Sequence, residues 1–230
     1  MPISEATREQ LREIIARYPH ARSALLPMLH LMQAEQGHIT AEGIAVCAEE
    51  LDLAPAEVAA VATFYTMYKR HDMGEYHVGV CINPGCGLLG GDELWQRACG
   101  RLGIGNDEVT PDGRFSLERI ECQAACTHAP VVTVNWEYLD DQTPESLDEV
   151  LDTLADGGEV TSTRGPVIRS FRDTERTLAG FDDGLAYAPA VDDKMLAGLR
   201  VARERGMAAP PVPTATAPAA SGTTDTAGGA

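Results

Sequence analysis

The chain has 230 residues, room for one or two domains with hydrophobic cores, and 44% hydrophobic with 23% charged residues is ordinary for a globular protein. A formal net charge of -17 leaves no surplus of Lys and Arg to neutralise phosphates, which argues against nucleic acid and against an anionic membrane surface as partners. Aromatics make up only 5%, so the core must lean on Leu, Val, Ile and Ala.

The opening residues Met1 to Glu5 lack the basic and apolar regions of a signal peptide, and no apolar run is long enough to span a bilayer. A cytoplasmic location is therefore expected, where thiols stay reduced. From Ser4 to about Arg70 the pattern is helical. Ser4 is a candidate N-cap for a helix carrying Leu11, Ile14 and Ile15. Leu25, Met28, Leu29 and Met32 mark a second helix, with Gly37 as its stop. Thr40 can cap a third with Ile44, Cys47 and Leu51, and Pro55 suits the first turn of a fourth with Val58, Val61, Ala62 and Tyr65. Short connections predict a small antiparallel bundle.

The pattern changes after His71-Asp72-Met73-Gly74. Tyr76, Val78 and Val80 alternate as on a half-buried strand that runs into Cys81 and then a glycine-rich loop. Leu94, Ala98 and Leu102 mark a helix. Thr110 to Gly113 is a turn between two strands, the second holding Phe115, Leu117 and Ile120. A loop with Cys122 and Cys126 precedes a strand at Val131 to Val134, a turn at Asn135-Trp136, and Glu137 to Leu139. Thr143-Pro144 opens a helix through Leu154. The expected fold class is α+β: a helical bundle at residues 1–74, then an α/β sheet domain at 75–160. Residues 161–207 form an extension with one helix expected near Lys194–Arg205. Residues 208–230, rich in Pro, Ala, Thr, Ser and Gly, read as a disordered low-complexity tail.

Six cysteines in a reducing compartment call for metal binding or catalysis rather than disulfides. Cys81 and Cys86 form C-x4-C, and Cys122 and Cys126 form C-x3-C. Each pair follows a strand and sits among small residues. A cluster needs such an arrangement, because thiolates must converge on iron while backbone N–H groups approach the sulfurs. The spacing leaves a structural zinc site or inert thiols as alternatives, although zinc favours C-x2-C knuckles. Cys47 and Cys99 lie on helices and read as small buried hydrophobes. His128, two residues past Cys126, reads as a neighbour of the site or a surface residue rather than a ligand. His77 reads as structural.

The ordered set of Ala62 to Tyr68, Val80-Cys81 with Cys86, Cys122 to Cys126 with Ala129-Pro130, Val132 to Asn135, and Thr143-Pro144-Glu145 resembles the 24-kilodalton subunit family of NADH-quinone oxidoreductase, respiratory complex I. The resemblance covers about residues 5–158. It implies a thioredoxin-like [2Fe–2S] ferredoxin domain after the helices, one [2Fe–2S] cluster on Cys81, Cys86, Cys122 and Cys126, and no catalytic residue in the chain itself. It implies as partners the NADH- and FMN-binding subunit and other peripheral-arm subunits, with the assembly on the cytoplasmic side of the cell membrane and no membrane insertion by this chain. The same module resembles subunits of NAD-linked hydrogenases and formate dehydrogenases, which stay open as alternatives. The acidic stretch Tyr138 to Gln142 and the extension beyond residue 160 depart from the common core. No Lys or Arg occurs between Arg119 and Arg164. Most of the acids there are expected to form a solvated face, and Asp140 and Asp141 are expected to lower the cluster potential.

Overall fold

In the computed structural model, which describes residues 3–184 and 191–208, Ser4 caps the first helix by accepting the Thr7 N–H at 3.1 Å. Four helices follow in the expected order: α1 (Glu5–Ala16), α2 (Leu25–Gln36), α3 (Ala41–Leu51) and α4 (Pro55–Phe64). Gly37, at φ 84°, ends α2, and the Thr40 hydroxyl accepts the Gly43 N–H at the start of α3. Pro55 opens α4, and the Glu57 carboxylate accepts the Ala54 N–H at 3.1 Å. Their apolar stripes meet in one cluster that includes Leu11, Ile14, Met28, Leu29, Met32, Cys47 and Val58. Each large aliphatic side chain buried there contributes about 1.5–3 kcal/mol.

The sheet follows. Its elements are β1 (Tyr76–Cys81), α5 (Pro84–Leu88), α6 (Gly91–Leu102), β2 (Glu108–Val109), β3 (Phe115–Ile120), β4 (Val132–Val134), β5 (Glu137–Leu139) and α7 (Pro144–Ala155). Among the described residues the strand order is β2-β3-β1-β4-β5, with β1 and β3 parallel and the other pairs antiparallel. One face of β1 and β4, through Val78, Val80, Val132 and Val134, packs on Leu94 and Trp95 of α6 and on Leu147, Leu151 and Leu154 of α7. This is the expected α+β class. Two elements differ from the sequence reading. The glycine-rich loop holds the short helix α5, whose five residues are too few to show a period. Residues 161–184 contain α8 (Phe171–Leu178), capped by Ser170 and packed on α2.

The chain divides into two compact units, Met1–Ala190 and Val191–Ala230. The second contains α9 (Ala197–Glu204), inside the span expected to be helical, with Arg200 bonded to Asp193 at 2.6 Å. The expected disordered tail, apart from Ala208, lies outside the described residues. No helix among the described residues is long and apolar enough to cross a membrane.

The other face of β1 meets the helices through polar side chains. Glu175 of α8 is fully buried, and it accepts the Trp136 indole N–H at 2.8 Å and holds His30 Nδ1 at 2.6 Å. Lys69 pairs with Glu118 of β3. His77 Nε2 lies 2.8 Å from the same carboxylate but off the line of a good hydrogen bond, and its Nδ1 is 3.2 Å from the Ser116 hydroxyl. Asn135 braces this seam: its carbonyl accepts the His77 N–H, and its amide donates to the Glu75 and Arg169 carbonyls.

Replacing Glu175 by Ala would leave two half-buried groups, the Trp136 indole and the His30 imidazole, without their carboxylate partner. Unfolding stability should fall by about 2–4 kcal/mol, read from the urea midpoint, with a smaller loss for Glu175→Gln. Burial alone would raise the Glu118 carboxyl, but the His77 contact and the Lys69 ammonium outweigh it and pull it down to about 2. The unfolded carboxyl titrates at about 4.3, so this stabilisation is complete above that pH and is lost as the pH falls toward the folded value. Burial also holds the His77 imidazole below its ordinary value, which adds a loss of stability once the pH falls below the unfolded value of about 6.5. Urea midpoints measured across this acid range should therefore decline, and Glu118→Gln should flatten the part of the decline below about pH 4.3.

Candidate metal centre

Because β1 and β3 are parallel neighbours, their carboxyl ends lie side by side, with Cys81 in register with Ile120. Both cysteine loops leave from that edge, and adjacent strands are only about 4.8 Å apart. Cys81 ends β1 and Cys86 sits within α5. Cys122 follows β3 by two residues, and Cys126 opens a 3-10 turn, Cys126–His128. The loops touch: a β-carbon on Gly85 would stand 3.6 Å from both Cβ and Sγ of Cys126.

The structure brings the four sequence-predicted thiols together as two pairs. Cys81 and Cys86 are buried, with Ile120, Ala125 and Val131 packed around them. Cys122 and Cys126 are exposed, their sulfurs 3.8 Å apart. Burial and the neighbouring Cys81 thiol push the Cys86 thiol up to about 11, and the Cys122 thiol raises that of Cys126. Four thiolates crowded here repel one another unless cations are placed among them. A backbone donor is already aimed at sulfur: the Ala124 N–H at Cys122 at 3.4 Å. Ala124 adopts φ 55° within that loop, a conformation costing on the order of 1 kcal/mol in a residue other than glycine.

The first loop is wedged in place at Gly90-Gly91. Gly90 has φ 112°, and a β-carbon on Gly91 would lie 2.6 Å from the Cys81 carbonyl oxygen and 2.9 Å from that of Cys86. The second loop is tied from outside. The Tyr138 hydroxyl donates to the Gln123 carbonyl at 3.1 Å, and the Arg164 guanidinium covers the Tyr138 ring at 3.9 Å. Arg164 also clasps Asp140 through two hydrogen bonds of 2.9 and 3.0 Å. Asp140 thus carries its own counter-charge, and Asp141 lies 2.8 Å from His128 Nδ1. Along α7, Asp148 and Asp152 pair with Arg97 and Arg101 of α6, so the acidic run is partly neutralised.

The remaining sulfur and imidazole residues stand elsewhere. Cys47 is fully buried in the helical core, where burial pushes its thiol up to about 12, and Cys99 is half-buried against the sheet core. His77 belongs to the polar seam, and His128 is buried beside Asp141. Sequence reasoning missed α5, the Ala124 turn and the Tyr138–Arg164 brace. The Pro84 helix start was the one local signal for α5.

Residues 11–155 match the profile of the thioredoxin-like [2Fe–2S] ferredoxin family. The chain belongs to that family. This ferredoxin is 51% identical over 211 residues to an NADH-quinone oxidoreductase subunit of Mycobacterium tuberculosis, covering 89% of this chain and 82% of that protein. It is 41% identical over 150 residues to NADH-quinone oxidoreductase subunit 2 of Thermus thermophilus, covering 64% of this chain and 83% of that one. Its fold resembles part of an NAD+-reducing [NiFe]-hydrogenase crystal structure, with TM-score 0.52 and 20% identity over 58% of this chain and 23% of that chain. The cofactor of the ferredoxin is a [2Fe–2S] cluster, and the donor set fits it. A binuclear cluster takes two protein sulfurs at each iron, and the thiols come as two pairs. Among the described residues, no three His, Cys, Asp or Glu side chains gather on one point as a single metal ion would require.

Gly91→Ala should disrupt this centre, because the β-carbon can be seated only by moving the carbonyls on either side of the first loop. The variant should bind markedly less iron per chain and lose most of its visible absorption. Gly100→Ala, which meets open space on α6, should leave both unchanged and add up to about 1 kcal/mol of stability.

Proposed function

We propose that this chain is the [2Fe–2S] electron-transfer subunit of a respiratory NADH-quinone oxidoreductase, and that Cys81, Cys86, Cys122 and Cys126 are the cluster ligands. The observation that carries the reading is the meeting of two thiol pairs at the ends of two parallel strands. The 51% identity to a protein named as a subunit of that oxidoreductase supports the assembly.

When bound, the cluster supplies reversible storage of one electron at a time. The chain's residues hold and tune it. The four thiolates bind, and the Ala124 N–H offsets negative charge on sulfur. Cys81 and Cys86 shelter one side from water while Cys122 and Cys126 leave the other near the surface. Oxidoreductase activity belongs to the assembly. The partner that delivers electrons is the NADH- and FMN-binding subunit, within a peripheral arm on the cytoplasmic side of the membrane.

The test is to replace each of the six cysteines singly. The wild-type chain should carry about two irons and two acid-labile sulfides. Serine at position 81, 86, 122 or 126 should abolish or alter the visible absorption and the spin resonance of the reduced state, and lower NADH-quinone reductase activity of the assembly. Cys47→Ala and Cys99→Ala should leave the spectra unchanged. Zinc without sulfide in the wild type, or unaltered spectra in all four serine variants, would sink the assignment.

A further inference from the structure

The surface over the thiols has a composition of its own. Leu88 and Leu89, directly after Cys86, are 87% and 60% exposed. Pro84 from the same loop and Ala124 from the facing loop are also exposed, beside the exposed thiols of Cys122 and Cys126. Single exposed leucines are common and need no explanation. Two consecutive leucines on a pinned backbone are different. The Leu89 N–H bonds the Cys86 carbonyl at 3.1 Å, the Gly87 N–H bonds that of Asn83 at 2.8 Å, and Gly91 is lodged against the cysteine carbonyls. The leucines are held outward by the same contacts that shape the cysteine loop.

Three exposed acids neighbour this apolar centre in the chain, Asp92 and Glu93 on the first turn of α6 and Glu121, which lies 3.4 Å from the Asn83 amide, while the exposed Arg119 guanidinium is stacked on the Trp95 ring at 4.6 Å. No Lys or Arg occurs from residue 71 to residue 96, nor from 120 to 163, the stretches that supply both loops. Electron exchange between proteins needs close, dry approach to the cluster edge. An apolar centre excludes water, and a ring of one charge steers a partner of the opposite sign.

We propose that Leu88, Leu89, Pro84 and Ala124 form the apolar centre of the face through which the cluster exchanges electrons, and that Asp92, Glu93 and Glu121 select a redox partner whose contact surface is ringed by Lys and Arg. This inference rests on the cluster assignment above and names the face and the partner's chemistry. The occupant is a basic electron-transfer protein, not a second acidic copy of this chain.

The probe is cytochrome c, a basic protein whose exposed haem edge is ringed by lysines. The full-length holo-protein is reduced with dithionite, freed of excess reductant and mixed with ferric cytochrome c. One electron leaves the cluster and reduces ferric haem to ferrous haem. The wild-type rate should fall at least tenfold between low and high salt. The D92N/E93Q/E121Q variant should react about tenfold more slowly at low salt and lose most of the salt dependence. L88S/L89S should react severalfold more slowly at every salt concentration while keeping wild-type absorption and spin-resonance spectra. L26S, on the exposed side of α2, should behave as wild type. Cluster-replete loop variants that match the wild-type rate and salt dependence would overturn the docking face alone. A wild-type chain without a [2Fe–2S] spectrum would overturn the cluster assignment and this inference with it.

Discussion

Parallel pairing of β1 with β3 is the constraint on which the centre depends. Sequence separates the two cysteine pairs by 35 residues. The shared register that sets Cys81 opposite Ile120 makes both loops start from one edge. With antiparallel pairing, the second loop would leave from the opposite end of the sheet, and no side-chain rearrangement could bring the sulfurs together. The helix between the strands, α6, is what permits the parallel arrangement, since it carries the chain back across the sheet. Its packing on Val78 and Val80 is therefore part of the metal centre's architecture, although it contributes no donor.

A second level of organisation fixes the loops once they have met. Small residues set the approach distances, and hydrogen bonds to the loops come from side chains well outside them. Tyr138 reaches the second loop from β5, and Arg164, from beyond α7, covers the Tyr138 ring. Within the acidic run that dominates the local sequence, Asp148, Asp152 and Asp140 are partners for Arg97, Arg101 and Arg164. Exposed ion pairs of this kind are each worth under about 1 kcal/mol, so their role is mainly geometric.

Much of this was legible in the residues. Ser4, Thr40, Pro55, Thr143 and Pro144 marked helix starts because capping chemistry is local, and Gly37 marked an end for the same reason. Alternation in Tyr76 to Val80 gave away β1. The four thiols stood out as candidates because cysteine pairs among small residues at strand ends suit metal ligation. The helix α5 stayed hidden because five residues carry no periodicity. The helix α8 stayed hidden because its face is mostly polar, its buried members being Phe171 and the carboxylate Glu175. Long-range facts, such as Arg164 clasping Asp140 or Lys69 finding Glu118, leave no local trace at all.

The polar seam also bears on how the chain can be dissected. Residue 74 separates helix from strand in sequence, yet Lys69 and His30 meet their carboxylates only across that line, from Glu118 and Glu175. A fragment cut there would leave the Lys69 ammonium and the His30 imidazole without these carboxylate partners. The amino-terminal helices and the ferredoxin sheet are thus distinguishable modules by composition but electrostatic halves of one object, and excising either leaves charge without its counterpart.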